Sequence, residues 1–275
     1  MNAESMRVLL QAVRTRQPLV HNITNLVVMN NTANALLAIG ASPAMVHSCD
    51  EVEDFVALSQ ALVVNIGTLH SEQIAAAKLA VARARTAGIP WVFDPVGAGA
   101  TPYRRAAASA LTRLQPNVIR GNGSEILALT QQAQSGQGRG VDSTDRSETA
   151  VEAARTLALE TGAVVAVTGT VDYITDGKRL TEIHNGHPMM ARVTGLGCSA
   201  TALIGAFLGV ERDAFSATVA GLALLGVAGE MAAQQAEGPG SLQVKLLDCL
   251  YLLEETPWLE RLHIETSASA RPATD

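Results

Sequence analysis

The residue types that could do chemistry are concentrated in residues 194–202, where two glycines lead directly into a long apolar stretch. Gly195 and Gly197 carry no side chain, so backbone N–H groups there can approach an anion closely. The apolar stretch predicts a helix that begins near Cys198, and the free N–H groups and dipole of a helix N-terminus favour negative charge. The pattern indicates a phosphate site, although two glycines before a helix also occur in purely structural turns.

Cys198 lies at the predicted start of this helix. A helix N-terminus lowers the pKa of a thiol, so we expect the pKa of Cys198 to lie below its ordinary value. The sequence leaves three roles open for this residue: a general base, a nucleophile, or a small residue that starts a helix.

Several predicted strands end in glycine or a functional side chain, and ligands of open α/β sheets bind beyond the carboxyl ends of the strands. Asp94 follows an apolar run. Its carboxylate could hold a hydrated Mg²⁺ there, or it could cap a helix or turn before Pro95. Glu125 is a second candidate for the metal region, or an ordinary partner of a helix dipole. Arg120 and Thr168 are candidates for nucleotide phosphates, or for an ion pair and a cap. These ends comprise residues 65–68, 94–99, 120–125 and 168–170.

Two polar or mixed segments near the N-terminus adjoin predicted strands. Residues 21–25 are mostly polar and follow a strand, so they form either a solvated loop or part of a substrate pocket. Residues 40–45 combine a helix stop with Met45, which is a core residue or a ligand contact.

The elements that must position these groups alternate along the chain. Short β-branched runs are followed by Ala-rich helical segments, which predicts repeated βα units and a mostly parallel α/β sheet flanked by helices. An Asp-Gly turn at residues 176–177 predicts a hairpin between residues 171–175 and 180–184, so antiparallel strands finish one edge of the sheet. The parallel strands are predicted over residues 19–21, 44–47, 62–66, 91–95, 118–120 and 164–168.

Two helices have clear boundaries. The first is predicted over residues 71–86, with Ser71 as its cap and Gly88 as its stop, and the second over residues 149–161. The glycine-rich residues 135–140 predict a mobile surface loop that could act as a lid. From Cys198 onward the sequence is nearly all helix, with breaks at residues 209–212 and 237–240. We expect one domain over residues 1–265 and a disordered tail over residues 266–275.

Composition limits the classes of function. The net charge of −6 and the absence of a basic cluster argue against nucleic acid as a partner. Three widely spaced cysteines without metal-ligand spacing suggest a reducing compartment. No run approaches the ~18 uninterrupted apolar residues of a membrane span. We therefore expect a soluble cytoplasmic protein with no membrane partner.

The motifs together closely resemble the hydroxyethylthiazole kinase family, in order and over nearly the whole chain. The resemblance implies a ribokinase-like fold and the transfer of the ATP γ-phosphate, with Mg²⁺, to the hydroxyl of 4-methyl-5-(2-hydroxyethyl)thiazole, a step of thiamine salvage. It also implies a homotrimer whose thiazole sites lie between subunits. The matching segments are residues 21–25, 40–45, 65–68, 94–99, 120–125, 140–143 and 195–198.

The resemblance also implies roles for individual residues. Cys198 would lie beside the acceptor hydroxyl as the catalytic residue. Asp94 and Glu125 stay the candidates for the metal because of their positions after the predicted strands. The residues implied for the thiazole are Met45 and Gly195, and those implied for ATP are Arg120 and Thr168. From their places in the same segments, we add Asn25 and Gly67 as candidates for the thiazole and Gly197 as a candidate for ATP.

One position departs from the wider ribokinase-like pattern. That group usually has Asp where this chain has Cys198, so a thiol could leave catalysis mainly to positioning and charge stabilisation. Two other classes of function remain as alternatives. The first is a cysteine-nucleophile hydrolase, which needs a histidine such as His184 or His187 beside Cys198. The second is a non-catalytic nucleotide-binding subunit.

Overall fold

The computed structural model of the protein describes residues 3–130, 143–253 and 258–268. Within these residues, nine strands form one sheet in the order β2-β1-β3-β4-β5-β6-β7-β8-β9. The strands are β1 (Leu19–Ile23), β2 (Ser42–Ala44), β3 (Ala61–Asn65), β4 (Trp91–Asp94), β5 (Val118–Asn122), β6 (Val164–Thr168), β7 (Asp172–Thr175), β8 (Arg179–Ile183) and β9 (Ile264–Ala268).

The direction of the strands changes once across the sheet. All pairs from β2 to β6 are parallel, and the pairs β6–β7, β7–β8 and β8–β9 are antiparallel. The Asp-Gly turn joins β7 to β8, as predicted. The fold class is therefore confirmed: a mostly parallel sheet with antiparallel strands at one edge, flanked by helices.

Helices cover both faces of this sheet. The helices are α1 (Ala3–Arg16), α2 (Met29–Ala38), α3 (Val52–Val56), α4 (Ser71–Ala87), α5 (Pro102–Thr112), α6 (Gly123–Leu129), α7 (Ser143–Thr161), α8 (Leu196–Leu208), α9 (Ala214–Ala233) and α10 (Pro239–Leu252), with 3-10 turns at Pro188–Arg192 and Trp258–Arg261. Buried residues of α1, α2 and α8–α10 share one core cluster, whereas α3–α5 and α6–α7 belong to two others.

Alternation along the strands separates these cores. Val63 and Val92 pack with the α8–α10 cluster, whereas their neighbours Val64 and Phe93 pack with the α3–α5 cluster. Successive side chains of a strand point to opposite faces, so a strand covered on both sides is apolar throughout. This explains the short, continuous apolar runs of the sequence.

One described helix, α9, is long and apolar enough to cross a membrane by length and composition alone. However, 78% of its most apolar window is buried inside the protein, where it packs between α8 and α10. Its apolar composition is that of a core helix.

Several predicted boundaries need correction. The second strand ends at Ala44 instead of spanning residues 44–47, and Met45 follows it. The cap of α4 is His70, whose side chain accepts a hydrogen bond from the Gln73 N–H, and Ser71 is the first helical residue. Gly88 ends α4 in the left-handed conformation, as predicted. Helix α7 begins at Ser143, before the predicted residue 149.

The C-terminal boundary also differs from the prediction. Strand β9 pairs with β8 through Ala268, so order extends three residues into the segment predicted to be disordered. Composition gave no signal for this strand because its order comes from pairing with a distant partner. Residues 269–275, and the predicted lid at residues 135–140, lie outside the described residues.

Candidate active site

The carboxyl ends of the parallel strands bring the predicted site residues to one edge of the sheet. Asn65 at the end of β3 pairs in register with Asp94 at the end of β4. Asn122 at the end of β5 pairs in the same way with Thr168 at the end of β6. The polar ends of four consecutive strands therefore form one continuous surface.

Helix α8 begins at this surface with the predicted glycine turn. Its first residue is Leu196, two positions before the predicted start at Cys198, and Gly195 is the N-cap in the left-handed conformation with φ 84°. A Cβ on Gly195 would lie 2.7 Å from Val28 Cγ1. Both the backbone conformation and the space therefore require glycine here.

Cys198 is held by two amide side chains. Asn65 Nδ2 donates to Cys198 Sγ at 3.1 Å, and Asn25 Nδ2 donates to the same sulfur at 3.3 Å. Burial, followed by the nearby charge of Asp94, raises the pKa of Cys198 to about 11. The predicted lowering of this pKa is wrong, because desolvation and the carboxylate outweigh the helix N-terminus.

Asp94 is completely buried at the centre of the site. Its Oδ2 atom accepts hydrogen bonds from Asn65 Nδ2 and Thr201 Oγ1, both at 2.8 Å. Burial raises the pKa of Asp94 to about 6, and the nearby Arg120 opposes this rise. The carboxylate is therefore mainly ionised at neutral pH. Its Oδ1 atom has no hydrogen-bond partner among the described residues.

Both carboxylate oxygens of Glu125 accept hydrogen bonds from backbone N–H groups. Its Oε2 atom accepts the Asn122 N–H at 2.8 Å, and its Oε1 atom accepts the Gly97 N–H at 2.9 Å. The Asn122 side chain accepts the Glu125 N–H in return, which completes a capping box at the start of α6. Glu125 thus fixes the turn after β4 and lies close enough to raise the pKa of Asp94.

These carboxylates define how Mg²⁺ could be held. No group of three His, Cys, Asp or Glu side chains with metal-binding geometry occurs in the described parts of the chain. Mg²⁺ commonly binds through one or two carboxylates plus phosphates and water. The unpartnered Oδ1 of Asp94 fits such a site, and Glu125 fits it less well because both its oxygens already accept N–H groups.

Arg120 links the nucleotide candidates. Its Nη2 atom donates to Thr168 Oγ1 at 2.6 Å, and its Nη1 atom lies 4.0 Å from Asp94 Oδ2. A Cβ on Gly197 would lie 2.7 Å from Nη1, so any other residue here would require the guanidinium to shift away from the helix start. Arg120, Thr168 and Gly197 therefore form one cluster beside the N-terminus of α8.

Two of the residues proposed for the thiazole, Asn25 and Gly67, pack against each other next to Cys198. A Cβ on Gly67 would lie 2.7 Å from Asn25 Nδ2, and the Gly67 N–H donates to Asn65 Oδ1 at 2.9 Å. Met45 is half-buried directly after β2, at the same edge of the sheet. The structure records no hydrogen bond that joins Met45 to this network.

Sequence reasoning missed Asn65 and Thr201 as individual site residues. Asn65 ends a fully buried strand, and Thr201 is a buried polar residue in an apolar helix, three positions after Cys198. Residues three apart share a helix face. Both residues are polar groups within largely apolar segments, a signal that the sequence contains.

The histidines required by a hydrolase lie elsewhere. His184 pairs with Glu182 at 3.6 Å, and His187 Nδ1 accepts the Met189 N–H at 3.2 Å. Among the described residues, the hydrogen-bond partners of Cys198 Sγ are amides. The geometry therefore gives no support to a cysteine–histidine nucleophile pair.

Comparison with known sequences connects this site to a family. The model of the hydroxyethylthiazole kinase family matches residues 10–256 of the chain. A hydroxyethylthiazole kinase from Granulibacter bethesdensis is 58% identical over 246 residues, which cover 90% of this chain and 89% of that relative.

Solved structures agree with this match. The structure of a hydroxyethylthiazole kinase protein from Pyrococcus horikoshii OT3 aligns with a TM-score of 0.87 and 41% identity, covering 96% of this chain and 99% of the other. A ribokinase-like superfamily protein from Enterococcus faecalis V583 aligns with a TM-score of 0.64 and 12% identity, covering 90% and 94%. The second likeness shows the fold alone, which is ribokinase-like.

Proposed function

Because the chain belongs to the hydroxyethylthiazole kinase family, we propose that it transfers the γ-phosphoryl group of ATP to the hydroxyl of 4-methyl-5-(2-hydroxyethyl)thiazole. The product would be the thiazole phosphate used in thiamine salvage. The proposal rests on the similarity along the chain and on one structural observation. The Gly197 turn at the start of α8 packs against the Arg120 guanidinium, beside Asp94 and Cys198.

This arrangement suits phosphoryl transfer because that reaction needs charge stabilisation and alignment more than covalent chemistry. The free N–H groups at the start of α8 and the guanidinium of Arg120 would face the phosphates. Thr168 fixes the guanidinium through its hydroxyl. We assign ATP binding to Arg120, Thr168 and Gly197.

We assign the thiazole to the side of the site that contains Asn25, Met45, Gly67 and Gly195. Asn25 and Asn65 hold the sulfur of Cys198 at this side, where it would contact the acceptor hydroxyl. With a pKa of about 11, the group is a neutral thiol at neutral pH. Cys198 therefore acts mainly by positioning the acceptor hydroxyl and through the polarity of its thiol, and it contributes little as a general base.

Mg²⁺, when bound with ATP, would neutralise charge on the phosphates. The Asp94 carboxylate would hold it, with the buried Oδ1 as the available atom. Glu125 would support the site by fixing the Gly97 turn and adding negative charge.

The assembly proposed for the chain is a homotrimer with shared thiazole sites. Leu26 and Val27 follow Asn25 directly and are 66% and 65% exposed. Exposed apolar side chains beside a substrate site support a contact with a neighbouring subunit. We further propose one catalytic domain that comprises residues 1–265 together with the end of β9 through Ala268 and, from three free cysteines, a cytoplasmic location.

The deciding experiment assays the purified protein with Mg-ATP and a panel of primary alcohols of heterocycles and sugars. We expect ADP release and a phosphorylated product with hydroxyethylthiazole, and poorer turnover of other thiazole or pyrimidine alcohols. Equal turnover of sugars would contradict the proposed acceptor. Tight ATP binding without turnover of any acceptor would instead favour a nucleotide-binding subunit.

A further inference from the structure

Arg104, which no motif singled out, connects two of the turns that form the site. Its Nη1 atom donates to the carbonyl oxygens of Ile66 at 2.7 Å and Val96 at 2.8 Å, and its Nη2 atom donates to the carbonyl oxygen of Gly67 at 2.7 Å. The first and third of these carbonyls follow β3, and the second follows β4. One planar guanidinium therefore joins the ends of two neighbouring strands through three main-chain bonds.

The joined turns carry the side chains closest to the proposed chemistry. Asn65, immediately before Ile66, donates to both Cys198 Sγ and Asp94 Oδ2. Gly97, immediately after Val96, donates its N–H to Glu125. A shift of either turn would therefore move the amide that holds Cys198 relative to the carboxylate of Asp94.

The position of Arg104 in its helix is unfavourable for local stability. Thr101 caps α5 and accepts the Arg104 N–H, so Arg104 and Arg105 lie in or next to the first turn, which contains no acidic residue. A helix N-terminus favours negative side chains and opposes positive ones. Of the residues that the structure describes, no carboxylate forms an ion pair with Arg104 within 4.0 Å. The side-chain hydrogen bonds of Arg104 within the described part of the chain go to carbonyl oxygens. A cation kept at a position that is unfavourable for its helix indicates a role other than helix stability.

We infer that Arg104 is a positioning residue for phosphoryl transfer, which sets the spacing between the turns after β3 and β4 and thereby aligns Cys198 with Asp94. This inference rests on the proposed function for its kinetic consequence. Its structural consequence, the restraint of the Asn65 amide on the sulfur of Cys198, does not depend on the substrate.

The kinetic test compares two neighbouring arginines. Arg105 is exposed and makes one hydrogen bond to a carbonyl, that of Gly99, so Arg105→Ala and Arg105→Lys are matched controls. We expect Arg104→Ala to lower kcat by about 100-fold, as for a small misplacement of reacting groups, while Arg105→Ala stays close to the unmodified protein. Arg104→Lys keeps the charge but cannot reach three carbonyls in one plane, so we expect an intermediate loss.

Chemical rescue separates positioning from a general loss of stability. Guanidinium ion at low millimolar concentration can occupy the space left in Arg104→Ala, and we expect it to restore part of kcat, whereas sodium chloride at equal ionic strength does not. A variant that is only unstable would gain no activity, because guanidinium at this concentration does not change the free energy of unfolding measurably. Absence of rescue in a folded Arg104→Ala, or equal losses for the Lys variants of Arg104 and Arg105, would overturn the inference.

The second readout needs no substrate. Alkylation of Cys198 by iodoacetamide at one fixed pH, followed by mass spectrometry of its peptide, reports how firmly the amide of Asn65 holds the thiol. We expect faster alkylation in Arg104→Ala and Arg104→Lys than in the Arg105 variants. Unchanged alkylation would overturn the inference even if activity fell. Failure of the unmodified protein to phosphorylate any thiazole alcohol would overturn the proposed function and leave this alkylation test valid.

Discussion

The hydroxyl of Thr201 donates a hydrogen bond to Asp94 Oδ2 at 2.8 Å, although the two residues are 107 positions apart in the chain. Both side chains are completely buried. The bond ties the first turns of α8 to the end of β4, so the helix that presents Gly197 and Cys198 is fixed relative to the carboxylate proposed to hold Mg²⁺. The site therefore depends on contacts between distant segments.

Replacement of Asp94 tests the proposed metal site. Asp94→Asn keeps the size of the side chain and can still accept from Asn65 and Thr201, but it removes the negative charge. We expect kcat to fall by at least about 100-fold, comparable to the loss of a major electrostatic group, and chelation of Mg²⁺ to abolish activity of the unmodified protein. Asp50→Asn, an exposed change, should leave kcat unchanged. Full activity of Asp94→Asn would contradict the assignment.

Variants of Cys198 distinguish a polar contact from a covalent nucleophile. We expect Cys198→Asp to be at least as active as the unmodified protein. A carboxylate starts from an ordinary pKa of about 4, so it stays mainly ionised at neutral pH even when burial and Asp94 raise its pKa, as they raise the pKa of the thiol to about 11. A fixed negative charge beside the phosphates could raise the KM for ATP. The measurement is kcat and KM for both substrates in the Asp, Ser and Ala variants. A folded but inactive Asp variant, or a trapped thiophosphate on Cys198, would refute this mechanism.

Gly197 offers a test of the Arg120 cluster. In Gly197→Ala the new Cβ would lie 2.7 Å from Arg120 Nη1, so the guanidinium must move away from the start of α8. We expect the KM for ATP to rise by roughly tenfold or more, the effect of weakening one charged hydrogen bond, with a smaller change for the thiazole. Gly240→Ala is the matched control, because a Cβ there meets nothing within 4 Å. Equal kinetics of the two variants would argue against a nucleotide role for Arg120.

The burial of the His21 side chain predicts that the protein loses stability in mild acid. It is fully buried, its Nε2 lies 2.9 Å from the Val46 carbonyl oxygen, and its Nδ1 has no partner among the described residues. Burial lowers the pKa of His21 from 6.5 to about 4. Between these values the unfolded chain binds a proton that the folded protein does not. The free energy of unfolding should therefore fall as the pH drops below about 6.5, by up to about 3 kcal/mol near pH 4.

Denaturant unfolding measured across this pH range checks the effect. The variant His21→Leu should be less stable at neutral pH but lose less stability on acidification. His263→Gln, a change at an exposed histidine, should keep the full pH dependence. The same slope in all three proteins would exclude His21 as the cause.

The proposed trimer predicts that activity depends on protein concentration. Leu26→Glu would place a charge at the exposed apolar segment beside Asn25, and we expect smaller particles by light scattering together with loss of thiazole turnover. Leu58→Glu is the matched control, because Leu58 is 67% exposed but precedes β3 at the opposite end of the strand. An active monomer at assay concentration would rule out a shared site.

The sequence by itself determined most of the element pattern and the family. Strand β6 was predicted with its observed limits, and the Asp-Gly hairpin and the stop of α4 at Gly88 were also recognised. These features depend on local properties, namely short continuous apolar runs and backbone conformations that favour glycine. The ordered motifs gave the family for the same reason, since they can be read without contacts.

The tertiary structure decided the protonation states of the site residues and the hydrogen bonds that hold them in place. The pKa of Cys198 was expected to fall with its place at a helix N-terminus, yet it rises because folding buries the thiol near Asp94. Asn65, Thr201 and Arg104 acquire their roles only when segments far apart in the chain meet at one edge of the sheet. Strand β9 was missed because its order depends on pairing with β8. Desolvation and long-range hydrogen bonds depend on which surfaces become neighbours, and that information is not present in any local run of residues.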